Sequence, residues 1–139
     1  MGYTGFRIFN TLRFNNEPIL ASINARPHYY KFFGPVSNGA DPFKGHSYGF
    51  YSFKNAKLMV HAFSFYTLRS YDAFGHTWAE IEAFGNVIEH EHGWRSQKLM
   101  FKNIFIPRHL FSDAQIMMME RRYACEVGFT DDIMKGYHF

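Results

Sequence analysis

The sequence predicts an α+β fold: a mostly antiparallel sheet with one central helix and one C-terminal helix, in a single compact domain over residues 1–139. Three observations point there. Residues 78–84, WAEIEAF, alternate, with Ala79, Ile81 and Ala83 on one face and Trp78, Glu80, Glu82 and Phe84 on the other, which is the period of a strand. Met59, Ala62, Phe63 and Tyr66 instead form one stripe at helical spacing. After Pro107, Ser112 and Gln115 stand in the register of a capping box. A chain of 139 residues buries about two thirds of its extended surface around one core, so one domain is expected.

Residues 3–9 alternate as a first strand, with Phe6 and Ile8 on one face and Arg7 and Phe9 on the other. Residues 10–47 contain Pro18, Pro27, Gly34, Pro35, Gly39, Pro42 and Gly45, which interrupt any element before it grows long. That stretch reads as loop-rich, with short strands near 19–23 and 29–33, and long irregular segments in compact domains are often functional. GFYSF from Gly49 reads as a strand, and Ser52 or Asn55 as the cap of a helix over residues 55–66. A turn holding Asp72 and Gly75 leads to the strand at 78–84, where Gly85 suits a bulge that lets Val87 and Ile88 continue.

The chain then passes through EHEHGWR into a second apolar strand, KLMFKNIFI, so that residues 78–107 read as a β-arch with a polar bend. The last helix begins at Ser112, with Asp113 at its positive pole, Arg121 and Arg122 near its negative pole and Gly128 closing it. Its Met117, Met118 and Met119 point sulfur in several directions. No internal repeat, low-complexity tract or linker interrupts the chain.

Apolar residues make up 47% and aromatic residues 20%, including 17 Phe and 9 Tyr, which excludes a disordered chain and leaves more ring surface than a small core needs. Exposed rings are therefore expected, and they mark protein contacts, base stacking or ligand pockets. The net charge of +3 admits an acidic partner but lacks the dense Lys/Arg clusters of a dedicated nucleic-acid binder. Cys125 is the only cysteine, so an intrachain disulfide is excluded and a reducing, intracellular setting fits. The first residues lack a signal peptide's basic and apolar regions, and no apolar run approaches the roughly 18 residues of a membrane span. A soluble, unprocessed protein without a membrane partner is expected.

Glu89, His90, Glu91, His92 and Arg95 lie within seven residues. His90 and His92 would share one side of an extended strand, but two imidazoles need a third ligand to hold a metal, and a solvated polar bend is the favoured account. Arg95 has the paired donors that suit phosphate or carboxylate, Trp94 could stack on a base, and Lys98 and Lys102 continue the basic strand. An ion pair of Arg95 with Glu89 or Glu91 is the plainer alternative. Glu80 and Glu82 would serve as paired acids in a cleft and as ordinary outward residues on an open sheet face. His46, Tyr48 and Tyr51 in GHSYGFYSF could place rings against a flat ligand or supply core aromatics. Dinucleotide-binding, P-loop, nucleophile-elbow and HExxH motifs do not occur.

GFYSFKNA at 49–56 and AEIEAFGNVIEHEHGWRSQ at 79–97 together resemble a small domain of unknown function that occurs in phage genomes and in bacterial, notably actinobacterial, proteins. Gly49, Phe50, Ala79, Glu80, Glu82, Gly85 and Val87 match its short form, and Glu89, His90, Glu91, Gly93, Trp94 and Arg95 its longer actinobacterial form. Tyr51 stands where that family commonly has histidine, and Phe53 where a cysteine often follows. The resemblance implies a phage or bacterial origin. The layout is also loosely similar to ADP-ribosyltransferase folds. That likeness implies NAD as cofactor, a pocket lined by His46 or Tyr51, and Glu80 or Glu82 as the catalytic acid.

The expected function is that of a non-enzymatic, phage-type accessory or assembly protein without a cofactor, working in the host-cell cytoplasm or on the virion. It would bind a protein partner or a second copy of itself through aromatic, mildly basic surface. An ADP-ribosyltransferase-like enzyme and an RNA- or DNA-binding protein using Trp94, Arg95, Lys98 and Lys102 are the alternatives.

Overall fold

The computed structural model describes residues 2–22, 31–45, 48–67 and 77–131. They form an α+β fold with a mixed, mostly antiparallel sheet and two helices. The first strand is longer than its alternation suggested: β1 runs over Tyr3–Phe14 and turns directly into β2, Glu17–Ala21. Asn15 and Asn16 make the turn with φ of 49° and 67°, the left-handed pair that a two-residue hairpin needs and that asparagine tolerates. Residues 10–14, expected to be loop, are therefore strand. The prolines and glycines beyond them masked the Asn-Asn signal.

Two short strands follow. β3, Lys31–Phe32, pairs with β2, and β4, Val36–Asn38, pairs with a strand that comes much later. A single 3-10 turn, Pro42–Lys44, is capped by Asp41, whose side chain accepts from the Phe43 amide at 3.0 Å. β5 spans Phe50–Phe53 and α1 spans Ala56–Thr67, with Asn55 capping the helix by accepting from the Leu58 amide at 2.8 Å. The expected turn at Asp72 and Gly75 lies outside the described residues.

β6, Thr77–Glu89, and β7, Gly93–Ile106, pair with each other along most of their length, so the expected β-arch is a β-hairpin. Two irregularities bend it. Lys102 is the extra residue where Glu80 opposes Asn103 and Ile81 opposes Phe101. Gly85 and Asn86 together oppose Gln97, and Gly85 takes φ of 77°, the left-handed conformation that favours glycine at a bulge. α2, Asp113–Tyr123, starts on the expected capping box, in which the Ser112 hydroxyl accepts from the Gln115 amide (3.2 Å) and the Gln115 side chain from the Ser112 amide (3.0 Å). It ends at Ala124, φ 52°, rather than at Gly128. Gly128 belongs instead to β8, Glu126–Phe129, which adds to β7 in parallel.

The bent hairpin lets the strands close on themselves. β1 pairs with β6 from Tyr3↔Ala83 to Phe9↔Thr77, β6 with β7, and the far edge of β7 with β5. β5 returns to β1 at Phe6↔Phe53, completing the ring β1–β6–β7–β5. Further along, the far edge of β7 takes β4 and then β8. Alternation sorts the side chains. Phe9, Ala79, Ile81, Ala83, Leu99, Phe101, Ile104 and Ile106 pack inward with Met119 and Tyr123 of α2. Phe6, Ile8 and Trp78 pack outward against Ala56, Met59 and Val60 of α1. Of the methionines in α2, Met119 is buried while Met117 and Met118 remain exposed, as their consecutive positions on a helix require. Among the described residues no helix is long and apolar enough to cross a membrane.

Candidate ligand-binding site

Glu80 and Glu82 lie on the outer face of β6, level with Phe6 and Thr4 of β1. Tyr51 is on β5, across β1 from them. Phe6 and Phe53 occupy the row between Glu80 and the far edge of β5, two strand spacings or roughly 10 Å across. The register therefore keeps the two acids and the tyrosine apart. Tyr51 packs edge-on to Phe53 at 5.2 Å and beside His90 at 5.9 Å, and burial raises its pKa while Lys54 opposes that rise. His46 lies outside the described residues.

The EHEH run forms the tip of the β6–β7 hairpin. The His90 amide donates to the Gly93 carbonyl at 2.8 Å, and the Lys54 amide to the His92 carbonyl at 2.9 Å. Glu89 pairs with Lys54 at 2.6 Å, while Glu91 stands 3.8 Å from exposed His92. No group of three metal-capable side chains occurs among the described residues. Trp94 is turned into the fold: it stacks on Tyr3 at 4.3 Å, donates from Nε1 to the Thr4 carbonyl and lies under the Lys54 ammonium. Arg95 reaches the other way and donates to the Gly45 carbonyl at 2.8 Å. Lys98 lies 6.0 Å from the Phe84 ring centre, and Lys102 is exposed at its bulge. The four expected binding residues thus spread along β7 rather than forming one surface.

The interior of the ring holds a cation that the alternation of β1 had placed beside Phe9. On the inward face, Gly5, Arg7 and Phe9 follow Tyr3, whose stack with Trp94 closes one end. Gly5 has no room for a side chain because a Cβ there would collide with Ser52. Arg7 comes next, its guanidinium 5.5 Å from the centre of Phe9 and 5.8 Å from those of Phe32 and Phe50. One terminal nitrogen donates to the Tyr51 carbonyl at 2.7 Å and the other to the Ser22 hydroxyl at 3.0 Å.

These contacts span a seam. The second edge of β1 pairs with β5 only at Phe6 and with β2 only from Asn10 onward, and Arg7 bridges the interval. Its Nε is enclosed without a hydrogen-bond partner among the described residues, although the residue as a whole is partly exposed. Burial lowers its pKa to about 10. Among the described residues no carboxylate pairs with it. The hydroxyls of Ser52 and Ser96 are also enclosed without partners. A cation so placed would gain from an anion, because an uncompensated charge away from water is expensive.

Among the described residues, two of the surface depressions bear on binding. One, of about 430 Å³, is lined by Pro42, Phe43, Lys44, Gly45, Ile88 and Arg95. The other, of about 500 Å³, is lined by Glu17, Phe33, Met118, Arg121 and Arg122. Of the apolar residues that line the second, Phe33 is 60% and Met118 38% exposed, so it offers apolar surface to solvent. Arg122 pairs with Glu17 and donates to the Phe33 carbonyl at 3.1 Å, fixing the basic rim. Cys125, half-buried beside Glu120 and Glu126, has its thiol pushed up to about 11, chiefly by burial, which keeps it an unreactive neutral thiol.

In the sequence Arg7, Met118 and Arg121 read only as strand or helix residues, and none of them, nor Phe33, is placed in a site. The signal for Arg7 was present: both faces of residues 5–9 are apolar apart from it, so both had to be covered. The surface cluster carried no such signal, since Phe33 and Met118 lie 85 residues apart. Comparison with protein-family models, with curated proteins and with solved structures finds no match to this chain.

Proposed function

We infer that this chain is a non-catalytic binding protein, of a phage-type accessory or assembly kind, which docks an acidic protein partner. The observation that carries this reading is the depression of Phe33, Met118, Arg121 and Arg122, where exposed apolar surface and a basic rim coincide. Methionine adapts its shape to a partner, phenylalanine supplies buried area, and arginine pairs with carboxylates, which together make a docking surface. Glu80, Glu82 and Tyr51, separated by Phe6 and Phe53, lend no comparable support to a transferase reading.

A displayed library of acidic amphipathic peptides tests it. Selected peptides should bind the wild-type chain, and the double variant Met118→Ala/Arg121→Glu should bind them at least about tenfold more weakly. The variant's unfolding free energy should stay within about 0.5 kcal/mol of wild type, because both positions are exposed. Failure to enrich acidic sequences over charge-scrambled ones would sink the reading, as would binding indifferent to the double variant. Preferential binding of single-stranded oligonucleotides, weakening steeply with salt, would replace it with nucleic-acid recognition.

A further inference from the structure

We propose that the seam between β5 and β2 is a binding site for a small monocarboxylate with an apolar or aromatic body, held by the Arg7 guanidinium. The site is independent of the surface around Met118 and would stand if the docking reading fell.

Guanidinium carries five N–H donors, and Arg7 commits one from each terminal nitrogen, to the Tyr51 carbonyl and the Ser22 hydroxyl. Among the described residues nothing accepts from the second N–H of either terminal nitrogen, and such a pair can form the planar fork that fits a carboxylate. The two existing contacts anchor the fork to different strands, so it is oriented before any ligand arrives. Arg7 is partly exposed as a residue, and among the described residues the β1 edge between Phe6 and Asn10 pairs with neither β5 nor β2, so the proposed approach runs through that interval.

The surroundings select the ligand. Phe9, Phe32 and Phe50 ring the guanidinium at 5.5 to 5.8 Å, so whatever accompanies the anion must tolerate aromatic walls. One positive charge is balanced by one negative charge. A phosphate dianion would leave surplus negative charge among those rings, where it would be poorly solvated. A flat aromatic or short aliphatic acid meets both conditions.

Benzoate and hexanoate are suitable probes, with benzamide as the neutral counterpart of benzoate and inorganic phosphate as the competing anion. Titration of the full chain should move the Arg7 side-chain Nε–Hε resonance saturably with either carboxylate and raise the melting temperature. Benzamide and phosphate should do neither. Arg7→Lys keeps the charge but loses the fork, and should weaken carboxylate binding at least about tenfold. If that variant fails to fold, the wild-type resonance and the benzoate–benzamide comparison decide alone. The absence of a saturable shift with both carboxylates would overturn the assignment, and so would equal responses to benzoate and benzamide, tighter binding of phosphate, or undiminished affinity in folded Arg7→Lys.

Discussion

Tyr123 ties three elements together through one oxygen. Its ring is fully buried in the interior cluster, and its hydroxyl donates to the Phe32 carbonyl of β3 and accepts from the Leu20 amide of β2 at 2.8 Å. Leu20 and Phe32 are cross-strand partners, so the helix caps a strand pair at the point where its backbone would otherwise face apolar side chains. Burial, the largest cause, pushes the phenol up to about 12. Because the folded pKa lies above the unfolded one, Tyr123 stabilises the fold fully below about pH 10 and loses that contribution between about pH 10 and 12. Arg7 acts oppositely: its pKa is lowered to about 10, the unfolded chain holds the proton longer, and stability from this group rises between about pH 10 and 12.5. Tyr123→Phe should cost about 2 to 4 kcal/mol in urea unfolding at neutral pH, since a buried amide and carbonyl lose their partner. Its stability should also fall less steeply than wild type from pH 10 to 12. A cost below about 0.5 kcal/mol would mean that the hydroxyl's two bonds are replaced.

At the scale of elements, what could be read from sequence followed how local its cause was. The α2 start rests on Ser112 and Gln115 three residues apart, and the bulge at Gly85 rests on one backbone angle, so both were legible. β4 and β8 were not. Val36–Asn38 and Glu126–Phe129 are strands because the edge of β7 offers them hydrogen bonds, at Lys98–Met100 and Asn103–Ile106 respectively. No local pattern announces a remote edge. The same division predicts mutational costs. Ser112→Ala should destabilise by about 1 kcal/mol through the lost cap. Gly85→Ala should cost about 1 to 2 kcal/mol, chiefly from φ, because the nearest atoms to a new Cβ belong to the flexible side chains of Gln97 and Lys98. Unfolding in denaturant measures both, and an unchanged midpoint for Gly85→Ala would show that the bulge relaxes to an ordinary strand.

For the molecule as a whole, the ring β1–β6–β7–β5 is secured unevenly. β6 pairs with β1 on one edge and β7 on the other, and Ile81, Ala83, Leu99 and Phe101 sit in its core. β5 reaches β1 through the single pair Phe6↔Phe53, helped by the Arg7 bond to the Tyr51 carbonyl. β3 and β4, of two and three residues, attach at one edge. Local stability should follow this order, because a strand opens at the free energy of the contacts it alone breaks. The amides of Ile81, Ala83, Leu99 and Phe101 should therefore exchange with solvent deuterium only through global unfolding, while those of β3 and β4 exchange through local opening. In Arg7→Lys, protection should drop first over Phe50–Phe53, opening the ring at its seam while β6 and β7 hold. A uniform drop across all strands would instead make Arg7 a general contributor to the core, and unchanged protection in β5 would leave the seam closed by Phe6 and Phe53 alone.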